Sequence, residues 1–213
     1  GNLSNYAANM IFQQSGATIK TIPVDEEGLD VDYIKNNFIK GEIRCVYICA
    51  NRDYPTTVCF SPERRLKLLQ LATLYKFAII EDDFDYDFQF DGPPILPMAS
   101  SDTDGLIIYL GKLGQSFFPS FQTGFVVAPE NFILEAKNYL QMLDSKGDLI
   151  QEQVLAALIH EGEIHRLLKK NTVVYKKRRD AMCLALDTHF HDIIEFEKPN
   201  GGLALWILFK THI

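Results

Sequence analysis

Two apolar runs that stop abruptly constrain this chain more than any other feature. Ile79-Ile80 runs into Glu81-Asp82-Asp83-Phe84-Asp85, and Tyr109-Leu110 runs into Gly111-Lys112-Leu113-Gly114-Gln115. Short apolar runs bounded by polar residues and glycine are the pattern of buried parallel strands. In open α/β sheets ligands bind just beyond the carboxyl ends of such strands. The acidic end of the first run and the glycine-bearing end of the second are therefore where chemistry is expected.

The surrounding pattern alternates strand and helix. Residues 2–15 suit a helix closed by Gly16, followed by a strand at Ala17–Val24, a turn at Asp25–Gly28 and a helix near Asp30–Phe38. Arg44–Cys49 is β-branched and aromatic, hence strand. Ser61 is an N-cap with Pro62 at the first helical position, opening a helix to about Lys76 whose Leu66, Leu69, Leu71 and Leu74 are expected to face the sheet. Phe77–Ile80, Leu106–Leu110 and Gly124–Ala128 are further strands, with an irregular, proline-broken stretch from Phe88 to Thr103. After Pro129 the period turns helical, at roughly 130–143, 149–160 and 162–188. Candidate strands Ile193–Phe196 and Leu203–Phe209 close the chain around Pro199-Asn200-Gly201-Gly202. Strands alternating with helices imply a parallel, doubly wound sheet. The change of pattern near residue 145 implies a large domain over 1–145 and the start of a smaller one over 146–213.

Charge and composition narrow the function. The 213 residues are 47% hydrophobic, ample for a core, and carry a net charge of −7. An acidic chain without concentrated Lys and Arg is not built to hold nucleic acid, and the basic stretch Arg166–Arg179 suits a solvated helix face. The four cysteines show no CxxC spacing, and His189 and His191 have no third ligand nearby, so no metal site is expected. No apolar run approaches the ~20 residues of a membrane helix, and no signal peptide is visible, which places the chain in the cytoplasm by default.

The ordered set of motifs resembles the fold-type I PLP-dependent aminotransferases. It is most similar to the aminotransferase-like domain of MocR/GabR-type regulators of the GntR family. The matching pieces are Ile22-Pro23-Val24-Asp25-Glu26-Glu27-Gly28-Leu29, Tyr54-Pro55-Thr56, Ser61-Pro62-Glu63-Arg64-Arg65, Ile80-Glu81-Asp82-Asp83-Phe84-Asp85, Ile108-Tyr109-Leu110-Gly111, Phe118-Pro119-Ser120-Phe121, Gly124-Phe125, Tyr175-x-x-Arg178-Arg179-Asp180 and Gly201-Gly202-Leu203. The fold this implies is α/β, a mostly parallel PLP-transferase-like sheet flanked by helices, with part of a smaller α+β C-terminal domain.

The resemblance also assigns roles by position. Asp82 stands where the family's carboxylate pairs with the cofactor's pyridinium nitrogen, which keeps the ring an electron sink. Phe84 replaces the tyrosine that donates to the cofactor's phenolic oxygen. Gln115 replaces the Schiff-base lysine, and an amide forms no imine. Gln122 replaces the phosphate-clamping arginine, removing a charge-assisted contact. The resemblance places the family's phosphate-binding turn before residue 1 and its substrate-carboxylate arginine after residue 213.

Lys112 is the one alternative imine lysine. It lies three residues before position 115, about 10 Å along an extended chain, whereas a lysine side chain reaches roughly 6 Å. The expectation is thus a domain that has lost PLP catalysis, with no catalytic residue and no cofactor. It would be the effector or dimerisation part of such a regulator, or a stand-alone paralogue. A small anionic metabolite could meet Arg52, Tyr54 and Lys112, and a homodimer is expected. Two alternatives stay open: a PLP-dependent aminotransferase using Lys112 or segments outside this sequence, and a structural partner of an active subunit.

Overall fold

The computed structural model describes residues 5–113, 123–145 and 147–210. Helix α1 (Tyr6–Gln14) opens on Asn5, whose side chain accepts from the amides of Ala7 and Ala8. It closes before Gly16, which takes the left-handed φ of +82° that ends helices. The expected strand at Ala17–Val24 does not form as such. Only a short antiparallel hairpin, β1 (Val24–Asp25) with β2 (Gly28–Leu29), is present there. β propensity needs a neighbouring strand to express itself, and among the described residues none pairs with 17–23. Gly28 is required at its position: φ is +105°, and a Cβ there would collide with the ring of the buried Phe60.

Helix α2 (Val31–Asn37) is capped by the Asp30 carboxylate on the Tyr33 amide. Strand β3 (Cys45–Ile48) runs parallel to β4 (Ala78–Asp83), with Tyr47 opposite Ile80 and Ile48 opposite Glu81. Between them α3 (Pro62–Tyr75) starts as the sequence implies, on the Ser61 hydroxyl with Pro62 in the first turn. β3 and β4 continue into a four-stranded sheet with β5 (Ile107–Leu113) and β6 (Thr123–Val127), in the order β3-β4-β5-β6. Helices α4 (Glu130–Met142), α5 (Leu149–His160) and α6 (Glu163–Phe190) follow, and β7 (Ile194–Phe196) pairs antiparallel with β8 (Ile207–Phe209). The architecture is α/β, with parallel strands and flanking helices, as the sequence implied.

Two compact units are distinguishable. The first comprises Gly1–Asp83, Ile95–Tyr109 and Ala204–Trp206. Its core joins Ile34 of α2, Leu68, Leu71 and Ala72 of α3, and Val46, Ile48, Ile79 and Ile107 of the strands. The sheet-facing side of α3 is thus Leu68, Leu71 and Ala72, while Leu66 and Leu74 remain 57% and 59% exposed. The expectation holds for Leu71 and for Leu69, which packs against this core, and fails for Leu66 and Leu74. With 3.6 residues per turn, 68, 71, 72 and 75 share a stripe, and 66 lies on the far side of the helix.

The second unit comprises Phe84–Pro94, Leu110–Leu203 and Ile207–Ile213. In it the 199–202 turn is zipped to residues 88–91. The amides of Phe90 and Asp91 donate to the Asn200 carbonyl, and the Gly202 amide donates to that of Phe88. Arg179 of α6, its side chain 5% exposed, clamps both pieces, with 2.6 Å bonds to the Asp91 carboxylate and the Pro199 carbonyl. The final strand is shorter than the expected Leu203–Phe209, and it is not buried. Leu208 and Phe209 are 51% and 60% exposed, because pairing with β7 satisfies one edge without covering either face.

The burial pattern of α3 makes a direct comparison possible. Leu68→Ala should destabilise the protein by about 3 kcal/mol, the usual cost of emptying a fully buried leucine site. Leu66→Ala should stay within about 0.5 kcal/mol of the parent. Chemical denaturation of the two variants side by side checks this.

Candidate functional site

Strand β4 ends in two aspartates that leave on opposite faces, because successive side chains on a strand alternate. Asp83 goes into the interior and is 5% exposed. It is met by Asn51 Nδ2 at 2.7 Å and by the Tyr109 hydroxyl at 3.1 Å, both on the same carboxylate oxygen. Glu81, on the same face and 1% exposed, accepts from the amides of Met98 and Ala99 at 2.8 and 2.9 Å. Burial raises the Glu81 carboxyl above its ordinary range despite these two bonds. Glu81 and Asp83 therefore tie the strand to its surroundings.

Asp82 lies on the other face and is half-buried. The Tyr47 hydroxyl of β3 donates to its Oδ2 at 2.5 Å. The Cys49 thiol lies 3.9 Å from the Tyr47 oxygen, and the Phe12 ring of α1 packs edge-on against Tyr47 with centroids 5.8 Å apart. Register explains the meeting. Tyr47 stands opposite Ile80, so the pleat puts Tyr47, Cys49, Ile80 and Asp82 on one face. Burial, reinforced by the negative charge of Asp82, pushes the Cys49 thiol up to about 12, and burial likewise raises the Tyr47 phenol. Both groups are thus neutral donors at neutral pH, ordered toward a strand-end carboxylate.

The loop after β3 carries two expected ligand residues. Arg65 of α3 holds it from behind, donating to the carbonyls of Ala50, Phe60 and Leu96 and to Asn51 Oδ1. Asp53 accepts from Thr56 within the loop, and burial raises its carboxyl. So anchored, the loop buries Arg52 to 9% and leaves Tyr54 44% exposed.

Of the expected site residues, the first unit therefore contains Asp82, Arg52 and Tyr54, and it joins Asp82 to Tyr47 and Cys49. Phe84 and Lys112 belong to the second unit, half-buried and exposed respectively. Gln115 and Gln122 lie outside the described residues. Sequence reasoning missed Tyr47, Cys49, Asn51 and Tyr109. The two-residue alternation of strand side chains, applied to Tyr47 and Cys49, is the signal that could have found the first two.

A half-buried acid at a strand's carboxyl end, backed by a fixed neutral donor, suits a protonated ring nitrogen, so these residues fit a pyridoxal-type group at its nitrogen end.

Comparison with known proteins bears on the fold. The chain is 29% identical over 212 residues to aromatic-amino-acid aminotransferase 1 of Thermococcus litoralis, covering 97% of this chain and 51% of the relative. It is 25% identical over 199 residues to the probable rhizopine catabolism regulatory protein MocR of Rhizobium meliloti, covering 93% of this chain and 40% of that protein. It superposes on the kynurenine aminotransferase of Pyrococcus horikoshii, crystallised with PMP, with a TM-score of 0.91 at 26% identity, over 99% of this chain and 53% of the other. No family model matches. The chain carries the fold of the type I PLP-dependent aminotransferases, and its relatives in sequence include both aminotransferases and MocR-type regulators. It spans about half the length of the aminotransferases it matches. The expectation that no cofactor is involved is corrected here, because a solved structure with this fold holds a pyridoxal-derived group. No helix among the described residues is long and apolar enough to cross a membrane.

The buried network on Asp83 gives a prediction. Asn51→Ala removes a donor to a carboxylate of the interior and should cost about 1–3 kcal/mol. Equilibrium unfolding in urea measures it.

Proposed function

We propose that this chain is the central part of an aminotransferase-type domain that takes a pyridoxal-type ligand reversibly and does not anchor it through an imine. Such a domain acts as the effector and dimerisation part of a MocR/GabR-type regulator. One observation supports the reading: Asp82, at the position the resemblance gives to the ring-nitrogen acid, is held by Tyr47, while Gln115 stands at the position it gives to the anchoring lysine. Similarity to regulators as well as enzymes supports it.

When bound, pyridoxal phosphate supplies an electron-withdrawing ring. Asp82 would accept from the ring nitrogen, and Phe84 would leave the phenolic oxygen without a tyrosine donor. Arg52 and Tyr54 are the contacts for an anionic group of a small metabolite. A second reading, an active aminotransferase, is favoured by the similarity to the Thermococcus litoralis enzyme, with exposed Lys112 as its lysine.

Adding pyridoxal phosphate, then borohydride, and mapping the peptides separates the two. The expected result is a saturable change in absorbance, no reduced adduct on Lys112 and no turnover of amino acids. An adduct on Lys112 with measurable transamination establishes the enzyme instead.

Association as a homodimer belongs to the same proposal. Tyr139, Met142 and Leu143, on or just past α4, are 60%, 77% and 58% exposed, more apolar surface in one place than a solitary helix end needs. Light scattering at micromolar concentration should return the mass of two chains, and the mass of one chain would count against it.

A further inference from the structure

We propose that Tyr47 is a positioning residue for Asp82: its phenol fixes the rotation of the carboxylate so that the acid meets the ring nitrogen of a pyridoxal-type ligand in one orientation. The inference rests on the reading above that the cleft takes such a ligand. An aspartate at a strand tip turns freely about its last torsion, whose profile is broad. Here one oxygen of that carboxylate accepts a 2.5 Å bond from Tyr47, in the short range typical of a hydroxyl on an ionised acid.

The donor is itself held from two sides. The Phe12 ring packs edge-on against the Tyr47 ring, and the Cys49 thiol points its weak donor at the Tyr47 oxygen. That occupies an acceptor position on the phenol and leaves its single proton for Asp82. The result is a one-way chain of donors, Cys49 to Tyr47 to Asp82, in which each bond polarises the next. Burial keeps both donors protonated near neutral pH. A carboxylate presents about four lone-pair positions, so the bond from Tyr47 is compatible with a further donor.

The competing interpretation is an interstrand bond that only steadies β3 against β4. The two differ at the ligand's ring nitrogen, whose protonation depends on how the acid is presented and not on sheet stability. The test uses pyridoxal 5′-phosphate labelled with ¹⁵N in the ring, added to the whole chain as the parent, Tyr47→Phe and Asp82→Asn. Affinity is measured by equilibrium dialysis and protonation by the ¹⁵N shift.

Asp82→Asn should lose the protonated-ring signal. Tyr47→Phe should move it part of the way toward neutral pyridine and weaken binding about tenfold, the scale of one lost charge-assisted hydrogen bond. An unchanged ¹⁵N shift in Tyr47→Phe, with affinity within about twofold of the parent, overturns the proposal.

Should Tyr47→Phe fail to fold, the parent protein still decides. The Tyr47 hydroxyl proton should resonate far downfield and move when the ligand is added, and a resonance indifferent to ligand overturns the proposal as well. A parent protein that binds no pyridoxal phosphate refutes the reading of the cleft, and this inference with it. Binding by the parent with an indifferent variant refutes this inference alone.

Discussion

The pleat of β4 is the constraint on which the site depends. Two neighbouring aspartates cannot point the same way on a strand, so Asp83 is sent inward and Asp82 outward. The inward one is satisfied at once by Asn51 and Tyr109 and becomes part of the framework. The outward one is met by Tyr47 and stays at the tip of the strand. Shifting the register between β3 and β4 by one residue would carry Tyr47 away from Asp82.

Around that pair the protein fixes backbone mainly with charged side chains that have little free reach. Arg65 has its guanidinium taken up by loop carbonyls, which shapes the turn bearing Arg52 and Tyr54. Arg179 does the same in the second unit, binding Asp91, Asp180 and the Pro199 carbonyl. A planar, always-charged donor fork suits this task, because it satisfies several acceptors at once without titrating. Through its two strongest partners, Lys176 and Arg179, the Asp91 carboxyl is held below its ordinary range, as expected for an acid whose charged form is bound twice.

The departures from sequence expectation share a cause. The strand expected at 17–24 and the long one expected at 203–209 are both β-prone segments, and both are realised only where a partner strand lies alongside. Leu66 and Leu74 on α3 are as apolar as Leu68, yet their exposure follows helical phase and not residue type. Composition ranks residues by preference, whereas burial is set by which neighbours arrive.

By itself the sequence determined the alternation of strand and helix, the cap at Ser61, and the acidic strand end with Asp82 in it. Each of these is written in a few adjacent residues, because capping, turn formation and strand termination are short-range events. Only the tertiary structure decided which groups meet that acid. Tyr47 and Asp82 are 35 residues apart and come within 2.5 Å solely through the parallel pairing of β3 with β4. A parallel pair needs a crossover between its strands, so its partners are never neighbours in the chain and their contact appears only once the fold has formed.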